Sequence, residues 1–134
     1  MATTGFSLAM ASRVPSLVGI EGSPSALEDA RVNAQGLDHL RFLKGAVEDV
    51  LPTLDSKASL VLLDPPREGL NARVVAALVQ SPPERIVYVS CDPATLARDI
   101  KGLASGGFVL QTVSPFDMFP QTYHVETVAV LNRA

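Results

Sequence analysis

A strand, a tight turn and a helix follow one another within residues 86–99, and this stretch limits the possible folds more than any other. The apolar, β-branched run of residues 86–89 is typical of a buried strand. Asp92 is a suitable helix N-cap, and Pro93 suits the first helical position because its missing N–H breaks no hydrogen bond there. Cys91, the only cysteine of the chain, stands between strand and helix. The stretch therefore predicts a strand-to-helix unit with a thiol at its turn.

The same alternation of strand and helix repeats along the chain. Apolar runs predict further strands, at residues 17–20, 40–43 and 60–63. Capping and helical patterns predict helices, at residues 24–35, 47–51, 71–80 and 93–103. Ser23 is the expected N-cap of the first of these helices, and Pro24 its first residue. Two last strands, residues 108–113 and 125–131, are expected to pair antiparallel at the sheet edge. Short connections between alternating elements predict an α/β fold with a doubly wound, mostly parallel sheet and an antiparallel C-terminal hairpin.

Composition excludes several classes of protein. The 134 residues are 47% hydrophobic, which suits one globular domain with its own core. The net charge of −3 gives no basic footprint for gripping nucleic acid without help from another domain. A single cysteine excludes an internal disulfide, and the first twelve residues do not resemble a secretory signal. No apolar run is long enough to span a bilayer, so we expect a cytoplasmic protein without a membrane partner.

Glu21 follows the first predicted strand directly. In nucleotide-binding α/β folds, a carboxylate at this end of a strand accepts hydrogen bonds from ribose hydroxyls. The alternative is a solvated charge that precedes a helix, and the residues themselves favour neither.

Asp64 follows the strand at residues 60–63 and begins the sequence Asp-Pro-Pro-Arg-Glu-Gly. The two prolines fix the backbone and remove two N–H donors, so the turn is stiff. A plain strand-ending turn is the alternative, but loops at the carboxyl ends of parallel strands commonly carry function. We interpret Asp64 as a candidate site residue.

Cys91 is expected at the carboxyl end of the strand at residues 86–89, and if this strand is a neighbour of the strand at residues 60–63, Asp64 and Cys91 open onto one crevice. A thiol beside a carboxylate suggests nucleophilic catalysis. A small buried hydrophobe is the usual role of a lone cysteine and stays as the alternative. Cysteine–histidine hydrolysis is a weaker hypothesis, because only His39 and His124 are present and His39 lies near the amino end of a strand.

Glu126 is the unusual residue of an aromatic segment that enters the last strand. It precedes the apolar run Thr-Val-Ala-Val-Leu, and a carboxylate that leads into a buried strand needs either water or a chemical task. The neighbouring His124 and the aromatic side chains also suit an ordinary turn and core.

Together these motifs resemble the catalytic domain of the RNA uracil-5-methyltransferases, which form 5-methyluridine in tRNA and 23S rRNA with S-adenosylmethionine. The resemblance covers nearly the whole chain. Its most specific motif has the pattern Ser-Cys-x-Pro-x-Thr-x-x-Arg-Asp. The matching segments are residues 18–21 (VGIE), 33–37 (NAQGL), 64–69 (DPPREG), 90–99 (SCDPATLARD), 116–120 (FDMFP) and 124–126 (HVE).

The resemblance implies a role for each candidate residue. Cys91 matches the family nucleophile, which attacks carbon 6 of uracil, and Glu126 matches the base that removes the proton from carbon 5. Glu21 matches the residue that binds the cofactor ribose. Asp64 matches a carboxylate on the cofactor or target side, and Arg67 a structural or substrate-positioning residue. S-adenosylmethionine is the implied cofactor, RNA the implied substrate of the full-length protein, and no metal is implied.

The chain also departs from the family pattern. The first strand and the glycine-rich loop of the family should precede residue 6, and an RNA-binding domain of the OB type is missing. We therefore expect residues 1–134 to form a truncated class I, Rossmann-like methyltransferase domain with weak cofactor binding. The neighbours of the missing strand would pair directly, separate, or take a strand from another chain, and we expect self-association. A methyltransferase acting on another RNA base or a small molecule, and a non-catalytic interaction or structural module, are the alternatives.

Overall fold

The computed structural model describes residues 9–55, 57–117 and 125–134. The chain divides into two compact units, the first ending at Leu54 and the second beginning at Asp55. The described strands form one sheet of two strands and one sheet of four. None of the described helices is both long enough and apolar enough to cross a lipid bilayer.

The first unit contains a parallel strand pair with a helical crossover. Strand β1 (Leu17–Glu21) pairs in parallel with β2 (Leu40–Lys44), from Leu17 opposite Leu40 to Glu21 opposite Lys44. Helix α1 (Pro24–Asn33) connects the two strands and buries Leu27 and Ala30. Each predicted strand is confirmed and extends one residue further than expected. The unit is completed by a short helix, α2 (Val47–Val50), and two 3₁₀ turns, Ala11–Arg13 and Leu51–Thr53.

The start and the end of α1 follow local rules. The Ser23 hydroxyl accepts a hydrogen bond from the Ala26 N–H at 3.4 Å, and Pro24 occupies the first turn, as predicted. The helix ends at Asn33, before the predicted residue 35. Gly36 has φ = +82°, a left-handed conformation that glycine adopts without a Cβ penalty just beyond a helix.

The second unit contains the four-stranded sheet and two long helices. Its strands are β3 (Leu60–Leu63), β4 (Arg85–Ser90), β5 (Phe108–Phe116) and β6 (Glu126–Arg133). They lie in the order β3-β4-β6-β5, with β3 parallel to β4 and β6 antiparallel to both β4 and β5. Strands β3 and β4 are neighbours, which is the condition for a crevice shared by Asp64 and Cys91, and the predicted antiparallel hairpin is confirmed. The last strand of the chain therefore lies inside the sheet, and β5 forms its edge.

The helices of the second unit, α3 (Ala72–Gln80) and α4 (Pro93–Ser105), each bury one apolar stripe. Their buried residues join side chains of β4 and β6 in one core. The fully or nearly fully buried members are Val74, Leu78, Ile86, Tyr88, Leu96, Leu103 and Leu131. Burying a side chain of this size contributes about 1.5–3 kcal/mol to folding, so this core fixes the sheet and the ends of its strands.

Strands β1 and β3 belong to different sheets. One expectation was that these two strands pair directly where the family strand is missing. Within the described residues this expectation is wrong. The sequence was expected to form a single domain. The division into two compact units does not test this expectation, which stays a prediction.

Candidate active site

Cys91 lies directly after β4, in a turn that its two neighbours close. The buried Ser90 hydroxyl accepts a hydrogen bond from the Asp92 N–H at 3.1 Å and donates one to the Asp92 carbonyl at 2.9 Å. The two bonds fix the backbone on both sides of the thiol. Cys91 itself is half-buried and makes no disulfide. The structure thus places the only cysteine at the carboxyl end of a buried strand, as predicted.

Asp92 caps helix α4. Its carboxylate accepts a hydrogen bond from the Thr95 N–H at 3.0 Å, and Pro93 begins the helix. This bond lowers the pKa of Asp92, and the Arg67 guanidinium lowers the pKa further. Two conclusions follow. The cap is ionised at neutral pH, and the loop that follows β3 brings a cation to the turn that holds Cys91.

Asp64 lies at the same edge of the sheet as Cys91. Leu63, the last residue of β3, is paired with Tyr88 of the parallel strand β4, so both strands end at this edge. Asp64 is half-buried, and Pro65 behind it is buried. The Gly69 N–H donates to the Pro66 carbonyl at 2.9 Å, which closes the turn. The predicted juxtaposition of the Asp64 and Cys91 strand ends is therefore present.

Glu126 reaches this edge from the antiparallel direction. The last printed pair of the β4–β6 register is Ser90 opposite Thr127. Cys91 follows β4 one residue after Ser90, and Glu126 begins β6 one residue before Thr127, so both lie one position beyond this last pair. Glu126 is half-buried and pairs with Phe116 of β5 on its other side. Strand register thus brings the candidate nucleophile and the candidate base together, a relation that follows from no local sequence pattern.

Asp99 is a functional candidate that the sequence reasoning missed. It is 3% exposed, and its carboxylate accepts hydrogen bonds from the Tyr88 hydroxyl at 2.6 Å and the Leu70 N–H at 2.8 Å. Desolvation and the bond to Asp99 raise the pKa of Tyr88, which keeps this phenol protonated and donating. The sequence did carry a signal, because Asp99 lies between Leu96 and Leu103 on the apolar stripe of α4.

Glu21 lies in the first unit, at the carboxyl end of β1, as predicted. Its Oε1 accepts a hydrogen bond from the Ser23 N–H at 2.8 Å, which orients the half-buried carboxylate at the start of α1. Carboxylate oxygens in this position suit the donor hydroxyls of a ribose. The assignment of Glu21 and Asp64 to a cofactor remains a prediction.

Of the two histidines, only His39 lies among the described residues. His39 Nε2 is 2.6 Å from the Ala11 carbonyl oxygen, a contact that uses this ring nitrogen within the first unit. His124 and the aromatic residues Phe119 and Tyr123 lie outside the described residues. Within the described ranges, no group of three or more histidine, cysteine or acidic residues is arranged to hold a metal ion.

A family model described as tRNA (uracil-5-)-methyltransferase matches residues 47–134. The chain belongs to this family. An uncharacterized RNA methyltransferase of Gloeobacter violaceus is 48% identical over 96% of this chain and 28% of its own length. A second one, of Oceanobacillus iheyensis, is 43% identical over 93% of this chain and 28% of its own length. The chain thus spans less than a third of these relatives.

Solved structures identify the fold of this uracil-5-methyltransferase family member. The tRNA (uracil-54, C5)-methyltransferase of Pyrococcus abyssi, in complex with S-adenosyl-L-homocysteine, gives a TM-score of 0.81 at 36% identity. That match covers 96% of this chain and 32% of the archaeal protein. Precorrin-6y C5,15-methyltransferase of Geobacter metallireducens gives 0.74 at 13% identity, over 98% of this chain and 77% of that protein, which shows the fold alone. The predicted class I, Rossmann-like methyltransferase fold is confirmed.

Proposed function

We propose that this chain carries the catalytic residues of an S-adenosylmethionine-dependent methyltransferase that modifies carbon 5 of uridine in RNA through a covalent cysteine adduct. One observation supports this most directly. Cys91 and Glu126 each lie one residue beyond the last pair of the β4–β6 register, at the sheet edge where β3 also ends, directly before Asp64. Uracil-5 methylation requires a nucleophile and a base on one ring, and these two residues supply that pair.

The reaction begins at Cys91, because carbon 5 of uracil is a poor nucleophile until the ring is activated. The Cys91 sulfur bonds to carbon 6, and the electrons of the carbon 5–carbon 6 double bond move into an enolate. When bound, S-adenosylmethionine would supply an electrophilic methyl group on its sulfonium, and carbon 5 would take that methyl as the methyl–sulfur bond breaks. The product at this stage is a 5-methylated ring still bound to Cys91.

Glu126 completes the reaction. Its carboxylate removes the proton from carbon 5, the double bond re-forms, and the carbon 6–sulfur bond breaks to release the Cys91 thiolate. The half-buried position of Glu126 limits the water that competes for this proton. A carboxylate suits this late step, because it becomes a neutral carboxylic acid when it takes the proton.

The remaining candidates bind and orient. Glu21, held by the Ser23 N–H at 2.8 Å, is suited to accept hydrogen bonds from the ribose hydroxyls of the cofactor. Asp64, on its stiff diproline turn beside Cys91, is suited to the cofactor or target side of the reaction, and Arg67 to positioning the substrate. The family description and the P. abyssi neighbour both name tRNA, which favours tRNA over rRNA as the substrate.

RNA that contains 5-fluorouridine tests the proposal. Fluorine at carbon 5 cannot leave as a proton, so the adduct persists and survives a denaturing gel. The protein as its gene encodes it, incubated with this RNA and S-adenosylmethionine, is expected to form such an adduct. Cys91→Ala is expected to form no adduct. The control Ser105→Ala, at the C-terminal end of helix α4, is expected to form the adduct as the wild type does.

Two results would overturn the proposal. The first is adduct formation by Cys91→Ala, which would mean that another group attacks the ring. The second is a folded wild-type protein that forms no adduct and transfers no methyl group, as expected of a non-catalytic module. Methyl transfer to a base other than uracil would also contradict the proposal. It would favour the alternative of a methyltransferase for another RNA base.

A further inference from the structure

The interior of the second unit contains a carboxylate that the proposed reaction does not use. Asp99 is 3% exposed and lies on the apolar stripe of α4, between Leu96 and Leu103. Burying a carboxylate is unfavourable unless hydrogen bonds replace its water. An apolar residue would fill this place at lower cost if packing were the only need. The buried charge therefore calls for a reason.

Every oxygen of this carboxylate is occupied, and its donors come from three different segments. Oδ2 accepts from the Tyr88 hydroxyl of β4 at 2.6 Å and from the Leu70 N–H of the loop at 2.8 Å. Oδ1 accepts from Arg98 Nε at 3.1 Å and Arg98 Nη2 at 2.9 Å. The strand that precedes Cys91, the helix that follows it and the loop after β3 meet at this single side chain.

Arg98 extends the connection to the loop. Its Nη2 also donates to the Glu68 carbonyl at 2.8 Å. The guanidinium thus joins the Asp99 carboxylate to the backbone of the loop, and the ion pair holds both in one geometry. The loop in question runs from Asp64 to Leu70 and includes Arg67.

Gly69 allows this close approach. Its φ of +81° is left-handed, and a Cβ placed on it would be 2.5 Å from Asp99 Oδ2 and would overlap the Thr95 methyl group. No side chain fits at this point while the Leu70 N–H bonds to Asp99. The loop is therefore built to lie directly against the first turns of α4.

We propose that Asp99 is a positioning residue. Its buried carboxylate, with Arg98 and Tyr88, clamps the loop of residues 64–70 against α4 and so holds Asp64 and Arg67 in place beside Cys91. This inference rests on the proposed function, since the geometry it protects is that of the cysteine reaction. Asp99 acts through the loop and does not itself contact the uracil.

Asp99→Asn tests the clamp because asparagine has one acceptor oxygen where aspartate has two. That oxygen can accept hydrogen bonds either from Tyr88 and Leu70 or from Arg98. The amide NH₂ then points at the remaining donors, with which it cannot form a hydrogen bond. We expect hydrogen exchange at the Leu70 amide of the purified chain to become about tenfold faster or more, as for the loss of about 1.4 kcal/mol. Ile86→Val, which removes one buried methyl group from the amino end of β4, is the matched control for general loss of stability.

The catalytic readout is the rate of 5-fluorouridine adduct formation at saturating RNA. A merely structural residue would lower the melting temperature and leave this rate unchanged, as we expect of Ile86→Val. Asp99→Asn is expected to lower the rate about tenfold, because a displaced Asp64 and Arg67 no longer hold the reacting groups in line. Gly69→Ala is the second variant, since it pushes the loop away while Asp99 stays in place, and it is expected to reproduce both effects.

The outcomes separate the two proposals. Unchanged exchange at Leu70 in both variants would overturn the clamp. Faster exchange with an unchanged adduct rate would overturn the positioning role and leave the Cys91 chemistry standing. A wild-type protein that forms no adduct would overturn the proposed function and the positioning role together, whereas the exchange measurement would still decide whether Asp99 holds the loop.

Discussion

Glu126 and Cys91 lie at the same edge of the four-stranded sheet, because each is one residue beyond the antiparallel pair of Ser90 and Thr127. The two residues are far apart in sequence, and only the pairing of these strands joins them. A shift of the register by one residue would turn Glu126 to the other face of the sheet. The strand pairing of the second unit is therefore part of the proposed catalytic arrangement.

Glu126→Gln is expected to separate the two halves of the reaction. Glutamine keeps the size of the side chain but cannot remove the proton from carbon 5. With ordinary uridine RNA and S-adenosylmethionine, the covalent adduct should therefore form and then resolve about 100-fold more slowly or worse, as for loss of a positioned general base. Denaturing gels sampled over time measure the decay.

The control for this variant is Glu84→Gln, an exposed change next to the start of β4, which should resolve its adduct at the wild-type rate. Failure of Glu126→Gln to form any adduct would contradict the assignment. It would mean that Glu126 acts before or during the attack by Cys91.

Local features of this fold were predictable from the sequence. Ser23 and Asp92 were expected as N-caps, and each accepts a hydrogen bond from an N–H three residues later. Such contacts depend on residues within one helical turn, so local sequence determines them. The same holds for Cys91, whose place at a strand end follows from the apolar run before it and the capping pair after it.

Non-local features were not predictable in this way. The position of Cys91 and Glu126 at one sheet edge depends on which strand pairs with β4 and in which register. The cluster around Asp99 draws its donors from a strand, a helix and a loop, so no single stretch of sequence encodes it. The roles of Cys91 and Glu126 rest on resemblance and chemistry and stay predictions.

The cap of α4 predicts a pH dependence of stability. The Thr95 N–H lowers the pKa of Asp92 in the folded chain below its value in the unfolded chain. A group of this kind stabilises the fold above its unfolded pKa, and the contribution is lost as the pH falls through its folded pKa. The loss therefore begins below about pH 4, near the pKa of an unperturbed aspartate.

Asp92→Asn should remove the contribution of Asp92 to the pH dependence of the free energy of unfolding at acid pH, because asparagine caps the helix and does not titrate. Urea unfolding of wild type and variant from about pH 2.5 to 7 measures the difference. The stability gap between them is expected to narrow as the pH falls. A gap that stays constant across this range would show that Asp92 does not titrate with folding.

The N-cap of α3 tests the contribution of a helix cap to stability at a residue that does not titrate. The Asn71 side chain accepts a hydrogen bond from the Arg73 N–H at 2.8 Å. Asn71→Ala removes this acceptor and is expected to lower the free energy of unfolding by about 1 kcal/mol. Asn71→Asp keeps an oxygen in place and should lose much less. Equal losses in the two variants, measured by urea unfolding, would exclude the cap as the cause.

The edges of the four-stranded sheet predict self-association. Within the described residues, β3 pairs only with β4 and β5 pairs only with β6, so each leaves one row of backbone groups unpaired. Strand β5 carries an irregularity between Leu110 and Thr112 and a proline, Pro115, which both discourage pairing with another chain. Strand β3 has the sequence Leu-Val-Leu-Leu, without charge, proline or bulge. It is the better template for a second copy.

Leu60→Lys tests this edge, because lysine on an edge strand opposes pairing with another chain. Light scattering over a range of concentrations should show a wild-type mass that rises above the monomer, and Leu60→Lys should shift that rise to higher concentration. Val32→Lys adds the same charge at an exposed apolar position on α1 and should leave the curve unchanged. A wild-type chain that stays monomeric throughout would show that β3 does not pair between copies, and equal effects of both lysines would assign the change to charge.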